Sequence, residues 1–437
     1  MRYRWSALFC CVAGLLSVFA PPAKAADPKR PPNIVMIISD DQHWGDYGFM
    51  GHSTVKTPNL DRLASRSLTF KRGYVPSSLC CPSLATMITG LYPHQHLVTS
   101  NDPPMPAKMK KNDPAYQETF QAGREVMNKH LEAVQTLPVM LKNEGYLSLQ
   151  TGKWWQGNFT RGGFTHGMTK GSRHGDEGLD IGRKTMEPIY NFIAEAKKAD
   201  KPFMVWYAPM MPHDPHTPPE EILAKYKDKT PSLHQAKYWA MVEWFDQTCG
   251  QLVDHIDKQG LGENTIIVYL SDNGWIQNLD NPRYAPKSKQ SQYDGGTRTP
   301  IMVRWSGRIQ PKMSDDLAMS IDIMPTLLAA LGKKPTAQMQ GLNLLDDAAV
   351  KARKTITGEC FTHNSQDLNK PEASLRWRWV IDGHLKLILP AKQNEQGGPE
   401  LYDLAADPHE TKNLADSDPR TVERLTKTLD AWWPGKV

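Results

Sequence analysis

Three apolar runs in this chain end abruptly at polar residues, and they narrow the folds open to it. Ile34-Val35-Met36-Ile37-Ile38 stops before Asp40, Phe203-Met204-Val205-Trp206-Tyr207 before His213, and Ile266-Ile267-Val268-Tyr269-Leu270 before Asp272. Continuous β-rich runs without polar alternation mark strands buried on both faces, as in a parallel sheet. Helical patterns lie between them, over Leu60 to Ser67, Leu137 to Asn143, Thr185 to Lys197 and Tyr238 to Lys258. The expected fold is α/β: a large, mostly parallel sheet sandwiched by helices. Ligands of such sheets bind beyond the carboxyl ends of the strands, where these acids and the histidine can converge.

Near Leu345 the pattern changes. Leu375 to Leu389 alternates around Asp382-Gly383, a hairpin signal. Glu400 to Leu404 reads as a short strand and Pro419 to Trp433 as a closing helix. The expected organisation is a signal peptide over residues 1–25, a catalytic domain over 26–345, and a small α+β subdomain over 346–437, an antiparallel sheet plus helix. Residues 101–135 form a polar insertion rich in Lys, Met and Pro, with a helix expected near Gln117 to Ala133. It reads as a surface excursion, with a substrate-gating lid as the alternative.

The N-terminus has the build of a secretory signal: Arg2 and Arg4, an apolar run from about Trp5 to Ala20, then Ala23-Lys24-Ala25 as a cleavage site. No later apolar run approaches the roughly 20 residues of a membrane span. The mature protein is expected to be exported, periplasmic or secreted, with no membrane partner. Cleavage takes away Arg2, Arg4 and Lys24 and no acid, so the formal charge falls from +5 to +2, 49 basic against 47 acidic residues. A balance so near neutral gives no basis for a nucleic-acid partner, and the Lys108–Lys111 run is short enough for a solvated loop. Four cysteines remain: Cys80, Cys81, Cys249 and Cys360. In an exported protein an even count permits disulfides, a Cys249–Cys360 bridge among them.

The stretch Cys80-Cys81-Pro82-Ser83-Leu84-Ala85-Thr86-Met87-Ile88-Thr89-Gly90 sets a cysteine just ahead of a proline that opens an apolar, helical run. Proline suits the first turn of a helix. A group just ahead of that turn faces unpaired N–H groups and the positive end of the dipole, a site for an anion. Asp40-Asp41 and Asp272-Asn273 supply three carboxylates and an amide oxygen at strand ends, hard ligands suited to Ca²⁺ or Mg²⁺ and poorly to Zn²⁺.

These residues resemble the sulfatases. The cysteine stretch is similar to that family's Cys-x-Pro-Ser-Arg followed by an apolar run and Thr-Gly, with Leu84 where the family has Arg. Thr151-Gly152-Lys153-Trp154 resembles its Gly-Lys-Trp-His segment, with Trp155 in place of the histidine. Met211-Pro212-His213-Asp214-Pro215 resembles Pro-His-x-Pro, and Tyr293-Asp294-Gly295-Gly296-Thr297-Arg298-Thr299-Pro300 resembles Tyr-Glu-Gly-Gly-x-Arg-x-Pro. Lys289 stands four residues before Tyr293, with Lys287 a close competitor for the family's lysine.

The resemblance implies a sulfuric ester hydrolase of the alkaline phosphatase superfamily. It implies that a maturation enzyme oxidises Cys80 to formylglycine, one hydroxyl of whose hydrate attacks sulfur while the other later expels sulfate. It also implies a Ca²⁺ (or Mg²⁺) ion held by Asp40, Asp41, Asp272, Asn273 and the modified Cys80. Lys153 and Lys289 would hold the sulfate, and His213 would hold it or protonate the leaving oxygen. The expected substrate is a sulfated small molecule or carbohydrate. A phosphoester or phosphonate hydrolase on the same fold is one rival. A non-catalytic binder of sulfated glycans, motivated by Leu84 and Trp155, is the other. His166 or His174 could replace the missing histidine in space. Tryptophans 154, 155, 206, 275 and 305 read either as core or as sugar-stacking surfaces.

The signal pattern predicts that the mature chain begins at Ala26. N-terminal sequencing of protein recovered from the native host's exported fraction should find that residue first.

Overall fold

The three apolar runs become neighbouring strands of one eight-stranded sheet. In the computed structural model, which describes Met1 and residues 30–107 and 109–436, its strands are β1 (Asn33–Ser39), β2 (Leu68–Tyr74), β3 (Leu147–Gly152), β4 (His166–Gly167), β5 (Phe203–Ala208), β6 (Thr265–Ser271), β7 (Ile301–Trp305) and β8 (Lys312–Met319). Their order is β4-β3-β5-β1-β6-β7-β2-β8, and β7 alone runs against the rest. Residues 1–25, expected to be a signal peptide, and Lys108 of the lysine run lie outside the described residues apart from Met1.

The absence of alternation has a direct cause. Ile34, Met36 and Ile38 enter the core on one face, while Val35 and Ile37 enter the core on the other. On β5, Met204 and Trp206 alternate in the same way with Phe203, Val205 and Tyr207. The covering helices are α1 (Pro58–Ala64), α2 (Cys80–Thr89), α3 (Pro114–Glu132), α4 (Leu137–Asn143), α5 (Glu187–Lys198), α6 (Leu233–Lys258) and α7 (Ile323–Ala330). Helices α2, α3, α4 and α7 pack on the first face and α1, α5 and α6 on the second. Both faces need cover, hence a sandwich.

A four-stranded antiparallel sheet follows, ordered β12-β11-β10-β9, from β9 (Thr355–Phe361), β10 (Leu375–Asp382), β11 (Leu385–Pro390) and β12 (Glu400–Asp403). Its outer face takes α8 (Pro419–Trp432) through Leu425 and Leu429. On the inner face, Trp379, Ile381 and Ile388 share a core with Tyr74, Leu317 and Met319 of the large sheet. The hairpin turn falls one residue later than expected: Asp382 still pairs with Leu385, so the loop is Gly383-His384.

One expectation is corrected. The insertion is no surface excursion, because α3 sends Met127 and Leu131 into the main core and buries Arg124. The Cys249–Cys360 bridge that an even count permits is not formed: Cys249 of α6 lies in the core on the second face, Cys360 in the core between the sheets, and all four described cysteines are free thiols.

One buried ion cluster joins the two sheets. Lys386 on β11 is fully buried and lies 2.9 Å from both Asp294 Oδ1 and Glu410 Oε1. Tyr74 on β2 donates its hydroxyl to the other Asp294 oxygen. Removing the ammonium takes from Glu410 its cation and leaves Asp294 only Arg298, 3.8 Å away, a loss of about 3 kcal/mol. Lys386→Ala should lower the stability by that amount in urea unfolding, and Lys386→Arg by less.

Candidate active site

Parallel register brings the acids together. Ser39 of β1 pairs with Ser271 of β6, so Asp40 and Asp272 leave the sheet at one level, and Asp272 donates its N–H to the Ser39 carbonyl. Asp40 bonds likewise to the Met211 carbonyl, which brings in the segment carrying His213. Gly152 ends β3 at φ +75°, and a Cβ there would sit 2.0 Å from the Ala208 carbonyl oxygen. Only glycine lets the chain pass β5 so closely and turn Lys153 into the site. Helix α2 begins at Cys80 itself, is buried throughout, and stops at Gly90, φ +68°. Cys80 therefore sits in the first turn, among N–H groups that the helix leaves unpaired.

The side chains singled out in the sequence converge here. Asp40, Asp41, Cys80 and His213 each offer a ligand atom, all within 4.8 Å of one another. Asp272 stands behind them, its Oδ1 accepting the N–H groups of Asp41 and Asn273 at 3.0 and 2.7 Å. Asn273 donates its amide N–H to Asp41 Oδ1 at 2.6 Å, and its Oδ1 faces Cys80 Sγ at 3.4 Å. Lys153 Nζ lies 2.7 Å from Asp40 and 3.7 Å from Asp272, while Lys289 Nζ lies 2.6 Å from Asp41. Lys287, the competitor, points away to the Glu410 carbonyl and the rings of Tyr293 and Tyr402.

Three carboxylates against two ammoniums leave one negative charge in excess when all are ionised. Burial, with Asp272 alongside, pushes the Asp40 carboxyl well above its usual range, and burial raises Asp272 too. Asp40 Oδ2 and Asp272 Oδ2 are buried with no hydrogen-bond partner. Orphaned carboxylate oxygens in an acid-rich, oxygen-lined cluster fit a hard divalent cation. Burial also pushes the Cys80 thiol up despite both lysines, so the unmodified side chain is a weak nucleophile. His213 is held well below the usual histidine range by burial and by Lys289. Its Nδ1 faces the Asp214 carbonyl and takes the donor role, so its Nε2 lone pair faces Lys289 Nζ at 3.3 Å.

The two departures from the family motif have a structural setting. Leu84 is buried in the same core as Trp154, Trp155, Met127 and Leu131. Trp155 is also buried, and it serves as a shared wall: Arg124 lies 5.4 Å, Lys153 5.9 Å and Arg173 4.6 Å from its ring centroid. His174 meets the Trp155 edge at 4.4 Å, and its ring lies 6.2 Å from that of His213. His166 does not approach, being taken up by Thr165 and Glu195. Arg124 and Arg173 escaped notice in the sequence, since neither lies in a motif. Arg124 donates to the carbonyls of Asn101 and Trp155, and Asn101 Oδ1 accepts the Cys81 N–H. Trp154, Trp155, Trp206 and Trp275 are all buried, so they belong to the core and not to a sugar platform.

A mostly parallel sheet gathering acids, two buried lysines and a cysteine at a helix N-terminus has the layout of a hydrolase for anionic esters. The chain belongs to the sulfatase family. The Sulfatase family profile matches residues 32–333, and that of the N-sulphoglucosamine sulphohydrolase C-terminal region matches 287–432. Human arylsulfatase A is 28% identical over 367 residues, covering 72% of this chain and 67% of that protein. The N-acetylgalactosamine-6-O-sulfatase of Bacteroides thetaiotaomicron is 24% identical over 512 residues, covering 92% and 93%. A solved structure in complex with its substrate D-glucosamine-2-N,6-O-disulfate superposes with a TM-score of 0.72 at 19% identity, covering 93% and 98%, which shows a shared fold.

Calorimetric melting checks the fit of the acid cluster to a cation. Saturating Ca²⁺, at about 100 times its dissociation constant, should stabilise chelator-treated protein by about 2.7 kcal/mol. The gain should vanish in Asp272→Ala.

Proposed function

We propose that this protein is an exported sulfatase that hydrolyses a sulfate monoester of a carbohydrate to an alcohol and inorganic sulfate. In this reading a maturation enzyme oxidises Cys80 to formylglycine, and the acid cluster holds Ca²⁺ or Mg²⁺. The observation that carries it is the position of Cys80: first turn of α2, 3.4 Å from Asn273 and grouped with Asp40, Asp41 and His213. The hydrated aldehyde and the cation would supply the nucleophile and the Lewis acid. The N-terminal signal pattern supports export. The sulfated sugars in the names of the relatives support a carbohydrate substrate.

The chain's own groups fit the rest of the task. Asp40, Asp41, Asp272 and Asn273 would hold the cation. Lys153 and Lys289, now paired with carboxylates, would turn to the sulfate oxygens once the cation neutralises those acids. Sulfuryl transfer is mainly a matter of stabilising charge, so two fixed ammoniums are the expected equipment. With its Nδ1–H toward Asp214, His213 keeps a lone pair on Nε2, so a proton must first be placed on Nε2 before it can protonate a leaving oxygen.

Peptide mass spectrometry across Cys80 on native-host protein should find the aldehyde. Cys80→Ala should abolish turnover with its melting temperature within a few degrees of wild type. Active protein with an ordinary thiol at Cys80 would overturn the formylglycine route. Matched aryl sulfate and phosphate esters should give the higher kcat/KM on the sulfate, and the reverse order would select the phosphoester hydrolase.

A further inference from the structure

The insertion that carries α3 does more than close the core. With the loop at Arg173 and the segment at His363, it encloses a cleft of about 560 Å³. One wall is aromatic: Tyr116 and Phe120, one helical turn apart on α3, lie with ring planes 8° apart and centroids 6.3 Å apart. Both are half-buried and line the cleft. The rest of the lining is polar. Arg173 Nε and Nη2 donate to the two Asp102 oxygens at 2.8 and 2.9 Å, while Nη1 reaches His174 Nε2 at 2.6 Å. Asp102 and the Trp155 face thus pin the guanidinium, which keeps two N–H donors free. Lys111 and His363 complete the lining on the basic side.

Arg173 ties the cleft to the Cys80 site: it reaches His174, whose ring lies 6.2 Å from that of His213. Lys153 and Arg173 both lie over the Trp155 ring, and Asp102 follows Asn101, the partner of the Cys81 N–H. An aromatic platform facing fixed hydrogen-bonding and cationic groups is a recognition surface for a ring with an apolar face and an anionic rim. We propose that this cleft is a second sugar subsite, so that the preferred substrate is an anionic oligosaccharide with its adjoining residue stacked on Tyr116 and Phe120. The proposal rests on the sulfatase reading of the Cys80 site and adds the size and charge of the substrate. The anionic group of the second sugar is a sulfate or a uronate, which the same basic groups would bind.

Titration calorimetry on full-length Cys80→Ala protein tests this without turnover. The probes are tetrasaccharides of chondroitin sulfate, with uronate and sulfate, and of carrageenan, with sulfate alone, against galactose-6-sulfate and N-acetylgalactosamine-6-sulfate. At least one tetrasaccharide should bind about tenfold more tightly than either monosaccharide, a gain of about 1.4 kcal/mol. Adding Tyr116→Ala and Phe120→Ala should bring that ratio close to one, and the ring-preserving pair Tyr116→Phe and Phe120→Tyr should keep it. No tetrasaccharide advantage, or one that survives loss of both rings, overturns the subsite. Wild type that hydrolyses 4-nitrophenyl sulfate yet shows no such advantage overturns the subsite alone. The advantage in a wild type that hydrolyses no sulfate ester overturns the enzymatic reading and leaves the subsite standing.

Discussion

Three buried carboxylates facing two buried ammoniums set the condition that the rest of this structure satisfies. Charges withdrawn from water cost several kcal/mol each unless geometry returns that energy. Here the backbone supplies the geometry. The β1–β6 register levels Asp40 with Asp272, Asp41 follows in a left-handed conformation (φ 63°), and Gly152 brings Lys153 inward. Even so, two carboxylate oxygens stay unpaired. Open acceptors and an excess of negative charge give the cluster the chemistry that suits a hard divalent cation.

The second sheet serves the same cluster from a distance. Its Lys386 holds Asp294 and Glu410, the loop before Asp294 carries Lys289, and Glu410 also accepts the Asp294 N–H. Gln290, next to Lys289, donates to the Ser78 carbonyl, two residues before Cys80. The Ser78 hydroxyl in turn contacts Cys360 Sγ on β9. Lys289 and the Cys80 segment are therefore braced against each other and against β9. A shift of the small sheet would be felt at both.

The chain's departures from its family pattern reflect how the insertion closes over the site. A motif arginine at position 84 would lie in a core now lined by Met127 and Leu131 of α3, and leucine suits that core. Trp155 gives the site a flat wall on which Arg124, Lys153 and Arg173 gather. The insertion and the Arg173 loop thus add positive charge beside that of Lys153 and Lys289.

What the sequence determined by itself is what short-range chemistry encodes. Runs such as Ile34 to Ile38 can only be strands buried on both faces, so the layered sheet and the convergence of Asp40, His213 and Asp272 at its carboxyl end were legible. So were Cys80 at the start of a helix and Lys289 at its offset from Tyr293. Only the tertiary structure decided what depends on elements distant in sequence. A polar segment reads as solvated whether or not one face packs, so nothing local told that α3 would bury Arg124 and turn Tyr116 and Phe120 toward a cleft. Count alone permitted Cys249 and Cys360 to pair, but pairing needs proximity, and two different cores hold them apart. His166 and His174 looked equivalent, and long-range packing of the loop against Trp155 brought His174 alone toward the site.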